Sequence, residues 1–350
     1  MRTRNVLNTV LDGVDHFCRK SDNKTLKKLA VSIGSQLGTT KSSMRYNILH
    51  QCELLQQLAE VRKTRGKLEI TAIDIGLENF AYSRLSWNGV GKLPELKEWN
   101  KIRLTGLEKE PETVKTLFTP KFLTEIGQNL TNILTQAAPD FFVIERQRTR
   151  TLGSAAVPDP ILKANALEHV LFMGLKSKNF YVNGLEYLVE SSDPRRMTDY
   201  WCQLIPIHSL AKPNNGLETT STAPKLKSST FSKILKIALV RSMLQQQGSD
   251  KFTISSRLWE RFAEYKPRKK YDLFEALQLG ETAGAPKQDD LADCLLHGLA
   301  WLEWLRNYEE LASLVITSER GPTGLEAFNE FNNLKLRSRA EYAKTCISEL

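Results

Sequence analysis

The sequence predicts an α/β fold, a mixed five-stranded sheet flanked by helices, with a helical segment ahead of it. Three observations lead there. Residues 68–75 and 141–145 are apolar, strand-like runs, and each reaches a carboxylate, Asp74 and Glu145. Strand and helix patterns follow one another in the order βββαβα. A chain of 350 residues, 41% hydrophobic and 25% charged, has material for two domains or for one domain with substantial insertions.

Residues 5–60 have helical periodicity, with Val6, Val10, Val14 and Phe17 on one face and Leu26, Leu29, Ile33 and Leu37 on another. Asp22-Asn23-Lys24 marks a turn between them, and Gly34 and Gly38 bracket the next break. This helix, glycine-punctuated turn and second helix resemble the SAP motif, a small DNA-binding module. Lys27, Lys28, Lys41 and Arg45 would supply its basic face, since phosphates are favoured by clustered cations and helix N-termini. The polar, basic run 61–67 places a boundary between a module at 1–62 and a main domain at 66–350.

In the main domain, residues 68–75, a strand beginning at Phe80 and a more exposed strand at 95–104 form a three-stranded meander. Phe122, Ile126, Leu130, Ile133 and Leu134 then repeat at helical spacing, and Pro139 closes that helix. The near-continuous apolar run 141–145 reads as a central strand covered on both faces. Pro160 opens a further helix, and residues 187–189 supply the fifth strand. Residues 209–229, low in apolar content and rich in Ser, Thr, Pro and Asn, read as a disordered insertion. Helices are expected near 231–247, 255–264 and 288–306, and again towards Leu350.

Composition narrows the partners. Forty-nine basic against 40 acidic residues give a net charge of +9, which favours a polyanion over a neutral metabolite. The five cysteines are scattered, without a C-x-x-C pair, so a reducing compartment and no structural zinc are expected. No apolar segment approaches membrane-spanning length, and neither a membrane nor a small-molecule cofactor is expected. Arg2 and Arg4 precede an amphipathic stretch as in a mitochondrial presequence, although Asp12 and Asp15 follow early.

Four acids form the candidate site. Asp290 and Asp293 stand three residues apart at the head of an apolar helical run, so both carboxylates project from one turn. If the strands ending in Asp74 and Glu145 are neighbours, their acids meet, and the Asp290/Asp293 helix packed alongside completes a group from three distant segments. Crowded carboxylates stay ionised only when cations neutralise them. Two divalent ions roughly 4 Å apart are the arrangement that hydrolyses phosphodiesters. Arg146, Arg148 and Arg150 follow Glu145 directly and suit bidentate phosphate contact, while Arg195, Arg196 and Lys287 flank the same region. His297, four residues beyond Asp293, reads as a packed helix histidine, and Trp301, Trp304 and Tyr308 read as packing residues.

The ordered strings Ala72-Ile73-Asp74-Ile75-Gly76, Ile144-Glu145-Arg146-Gln147-Arg148-Thr149-Arg150, Ser191-Ser192-Asp193-Pro194-Arg195-Arg196-Met197-Thr198 and Asp289-Asp290-Leu291-Ala292-Asp293 resemble the fungal mitochondrial Holliday-junction resolvases related to RuvC. The likeness covers nearly the whole chain. It implies an RNase H-like fold, a homodimer, and magnesium- or manganese-dependent paired nicking of four-way DNA junctions in mitochondrial recombination. It also places the metal-binding, catalytic acids at Asp74, Glu145, Asp290 and Asp293, with two ions per site. Asp289 and Asp293, at i and i+4, could also pair, but the Asp-x-x-Asp spacing of related enzymes favours Asp290. Two other readings stay open: an RNase H-fold nuclease of different specificity, for example on RNA/DNA hybrids, and a non-catalytic junction-binding architectural protein.

Overall fold

The structure, a computed structural model, describes residues 2–104, 119–147, 158–178, 181–182, 185–202, 228–245, 251–266, 272–280, 283, 287–318 and 322–348. The chain divides into two compact units. One contains 54–194 and 250–306, the other 1–53, 195–249 and 307–350.

The first unit holds the sheet. Strands β1 (Leu68–Asp74), β2 (Phe80–Trp87) and β3 (Glu95–Ile102) form an antiparallel meander, as the three successive strand runs predict. Strand β4 (Phe141–Glu145) lies parallel to β1, and β7 (Leu188–Ser192) lies parallel to β4. All five expected strands are therefore present. A sixth, β8 (Thr253–Ile254), pairs with the far edge of β3 and gives the order β7-β4-β1-β2-β3-β8. At two residues it is too short to leave a periodic signal, which is why the sequence predicts five strands. The two-residue strands β5 (Tyr181–Val182) and β6 (Leu185–Glu186) make a separate hairpin.

Each face of the sheet carries helices, which explains the continuous apolar runs. On one face, Ile73, Phe80, Phe142, Ile144 and Val189 pack with Phe122, Ile126 and Leu130 of α4 (Pro120–Thr135) and Leu167 and Leu171 of α5 (Asp159–Ser177). Across the other runs the first part of α10 (Asp289–Thr317). Small residues let it come close: a Cβ built on Gly298 would lie 2.7 Å from Leu85 Cδ1 and 3.4 Å from Ala72 Cβ. Phe141 meets Trp301 edge-on at 4.9 Å, so the tryptophans of α10 are core, as expected. Helices α8 (Ser256–Ala263) and α9 (Leu273–Ala276) complete this unit.

The second unit is helical: α1 (Arg2–Lys20), α2 (Asn23–Ile33), the first part of α3 (Lys41–Arg65), α6 (Pro194–Trp201), α7 (Ser228–Gln245), the end of α10 and α11 (Pro322–Ser348). Asp22, expected in a turn, caps α2 by accepting the Thr25 amide at 2.7 Å, and Gly34 ends that helix at φ 69°. Phe17 of α1 stacks on Phe328 of α11 at 4.4 Å. Residues 61–65 of the basic run are the last turn of α3. Of the expected insertion, 209–227 lie outside the described residues, whereas 228–229 open α7. Among the described residues, no helix is long and apolar enough to cross a membrane.

Candidate metal centre

Register builds the site. The parallel pairing of β1 and β4 aligns Ile73 with Ile144, so the next residues, Asp74 and Glu145, leave the sheet side by side. Alternation turns both towards the face that carries Ala72 and Val143, where α10 packs. One carboxylate oxygen each from Asp74, Glu145 and Asp293 lies within 4.8 Å of the others, and all three residues are half-buried. Three hard oxygen donors at this spacing fit a divalent cation such as magnesium.

The helix bearing Asp293 is fixed by side chains of the sheet. Ser83 Oγ donates to the Cys294 carbonyl and Trp99 Nε1 to the Leu291 carbonyl, each at 3.0 Å. His297, one turn beyond Asp293, is 1% exposed and places Nε2 3.1 Å from Glu145 Oε2. The expected packed histidine is thus also a neighbour of the acid group. Burial and the charge of Asp74 push the Cys294 thiol well above its usual range.

Asp290 stands apart from those three oxygens. Its Oδ2 is 3.2 Å from Nζ of Lys101, a lysine whose side chain is fully buried. Lys101 Nζ also donates to the Lys287 carbonyl at 2.9 Å, in the segment that opens α10. Burial pushes the Asp290 carboxyl upward and the neighbouring Asp289 adds to this, while Lys101 opposes both. Lys101 was not among the residues the sequence singled out. Its signal was there: it lies two residues after Trp99, so alternation puts both on the inward face of a strand that composition alone marks as exposed.

Glu168 is a second missed residue. It is 7% exposed on α5, where Ala164, Glu168, Leu171 and Leu175 share one core stripe. Its Oε2 accepts the Gln147 amide at 2.9 Å and its Oε1 lies 3.4 Å from Ser191 Oγ, so it holds the chain just after Glu145. Burial raises its carboxyl above the ordinary range.

The basic candidates divide between the units. In the sheet unit, exposed Arg146 pairs with Asp193 at 2.9 Å and Lys287 is exposed, while Arg148 and Arg150 lie outside the described residues. In the helical unit, Lys27 and Arg195 are exposed. Lys28 donates to Asn333 Oδ1 and Lys41 to the Arg19 carbonyl, each at 2.9 Å, and Arg45 pairs with Asp15. Arg196 donates to the Gly34 carbonyl at 2.5 Å and to Gln51 Oε1 at 2.8 Å.

Residues 70–311 match the family described as mitochondrial resolvase Ydc2 / RNA splicing MRS1. The chain belongs to this family. Its relative, the mitochondrial cruciform cutting endonuclease 1 of Saccharomyces cerevisiae, is 38% identical over 326 residues, 87% of this chain and 88% of that protein. The mitochondrial RNA-splicing protein MRS1 of the same yeast is 26% identical over 233 residues, 61% of this chain and 60% of the relative. Among solved structures, the yeast mitochondrial Holliday junction resolvase Ydc2 has a TM-score of 0.49 at 18% identity, covering 84% of this chain and 98% of its own. The family match spans the whole acid group, from Asp74 to Asp293.

Proposed function

We propose that this chain is a mitochondrial, divalent-metal-dependent endonuclease that resolves four-way DNA junctions by paired nicking. The convergence of Asp74, Glu145 and Asp293 from three distant segments carries the reading. The relative at 38% identity, named a cruciform cutting endonuclease, supports the substrate class, and the relatives' names support the compartment.

Asp74, Glu145 and Asp293 would hold a magnesium or manganese ion, and Asp290 would contribute to the site of a second. Bound there, such ions would supply Lewis-acid activation of water and of the leaving oxygen in phosphodiester hydrolysis. The chain's own residues do the positioning: His297 packs its ring edge 3.1 Å from the Glu145 carboxylate, and Glu168 holds the segment leading to Arg146. Phosphate contacts fall to exposed Arg146, Lys287, Lys27 and Arg195, with Arg148 and Arg150 beside Arg146 in sequence. Lys28, Arg45 and Arg196 are less exposed and would contribute field more than contact, while exposed Lys41 joins the contact group. The helical segment 1–62 acts as a SAP-like DNA-binding element. A homodimer, one site per nicked strand, matches the two-fold symmetry of a four-way junction.

The test is a substrate panel of four-way junction, duplex, flap and RNA/DNA hybrid with magnesium. Symmetric, ligatable nicks confined to the junction are expected. Cleavage mainly of hybrids would indicate another specificity, and junction binding without product would indicate an architectural protein.

A further inference from the structure

Lys101 is a charge with no exposed side-chain surface in the sheet unit. Its side chain is fully buried between the sheet and the start of α10, with Nζ 3.2 Å from Asp290 Oδ2 and 2.9 Å from the Lys287 carbonyl. The ring of Phe274 covers it at 6.0 Å. A buried ammonium is tolerated only against an opposite charge and well-placed acceptors, because desolvation of an isolated ion is heavily unfavourable. The pair with Asp290 is therefore built into the fold, one helical turn from the three acids that do converge.

Two cations compete poorly for one carboxylate. A divalent ion on Asp290 would have to sit against a fixed positive charge that burial leaves unscreened. The Asp74, Glu145 and Asp293 oxygens lie within 4.8 Å of one another without Asp290, so a first ion has its ligands without disturbing Lys101. A second ion gains enough only when the phosphate adds negative charge and oxygen ligands of its own.

Resting on the metal reading above, we infer that Lys101 is a built-in counter-cation for Asp290, so that the DNA-free protein takes up a single divalent ion and acquires the second only with its substrate. Lys101 is thus a positioning residue that orders loading, and it keeps the fourth carboxylate from recruiting metal before a phosphate arrives.

The test is equilibrium binding of Mn²⁺ alone to the full chain without DNA, read by the electron paramagnetic resonance signal of free ion. The wild type should saturate at one ion per chain. Asp290→Asn should still bind one, with affinity changed by less than about threefold, while Asp293→Asn should weaken binding by about tenfold or more, the order seen when a metal's supporting groups are lost. Lys101→Met should gain a second ion, and Lys101→Arg should remain at one. Two ions of similar affinity in the wild type, or loss of the ion in Asp290→Asn, would overturn the inference while leaving the metal centre intact. No Mn²⁺ uptake by the wild type would instead overturn the metal reading itself. A single ion in Lys101→Met would overturn the role given to Lys101, and where that variant does not fold Lys101→Gln is read in its place with the same expected second ion.

Discussion

Strands β1 and β4 carry acids at both ends, and the two ends treat them oppositely. At the start of the strands, buried Asp140 pairs with Arg65, and its Oδ2 accepts the Glu69 amide at 2.7 Å. Glu69 in turn meets Lys67 at 2.7 Å and Arg84 at 3.3 Å. At the other end, Asp74, Glu145 and Asp293 are gathered within 4.8 Å of one another. The chemistry is the same and the purpose differs. Acids matched by basic side chains and backbone amides tie β1, β4 and α3 together, whereas the acids crowded against each other are the donor set that the proposed metal centre would use. A carboxylate's role is therefore read from its neighbours, not from its position at a strand end.

Substitutions at the two ends should separate these roles. Asp293→Asn should lower single-turnover junction nicking by about 10²–10³-fold, the order lost with one electrostatic contributor to a transition state. Junction binding should persist in a mobility-shift assay, because the exposed cations are untouched. Asp140→Ala should do the reverse. It leaves Arg65, 14% exposed, without its buried partner, so stability should fall by about 3–5 kcal/mol in chemical denaturation. The folded fraction should keep its metal affinity.

Two smaller changes probe what holds the acid end in place. Gly298→Val pushes branched carbons towards Leu85 and Ala72, and should cost about 2 kcal/mol of stability. It should also weaken metal binding, since α10 carries Asp293. Glu168→Gln acts through pH. The carboxyl of Glu168 is raised in the folded state, so above the ordinary value of about 4.3 the unfolded chain releases its proton first and stability falls as pH rises through the folded value. Replacing it by Gln should flatten that decline, seen as denaturation midpoints that change less as pH rises above the ordinary carboxyl range.

Much of the acid end was legible in the sequence. A strand run that ends in a carboxylate is a local pattern, and Asp74 and Glu145 each provided one. Asp293 followed from the acidic head of an apolar helix. The remainder depends on contacts between distant segments. Lys101 looks like one more charge on an exposed strand until Trp99 is seen to share its face, and its pairing with Asp290 spans most of the main domain's sequence. Glu168 hides in a helical stripe as an acid among leucines and alanine. The helical unit draws together 1–53, 195–249 and 307–350, a grouping for which no local pattern exists. Strand β8, two residues long, is too short for any periodicity.

Ion-induced stabilisation tests the contrast between the two ends most directly. The melting temperature of the wild type and of Asp74→Asn should be measured with EDTA and with saturating Mn²⁺. The wild type should rise by several degrees, consistent with a gain of about 2.7 kcal/mol at a hundredfold excess over Kd. Asp74→Asn should match or exceed the wild type in EDTA, because one crowded charge has been removed, and should gain little from the ion. Equal gains in both proteins, or none in the wild type, would contradict the assignment of the crowded acids to a metal centre.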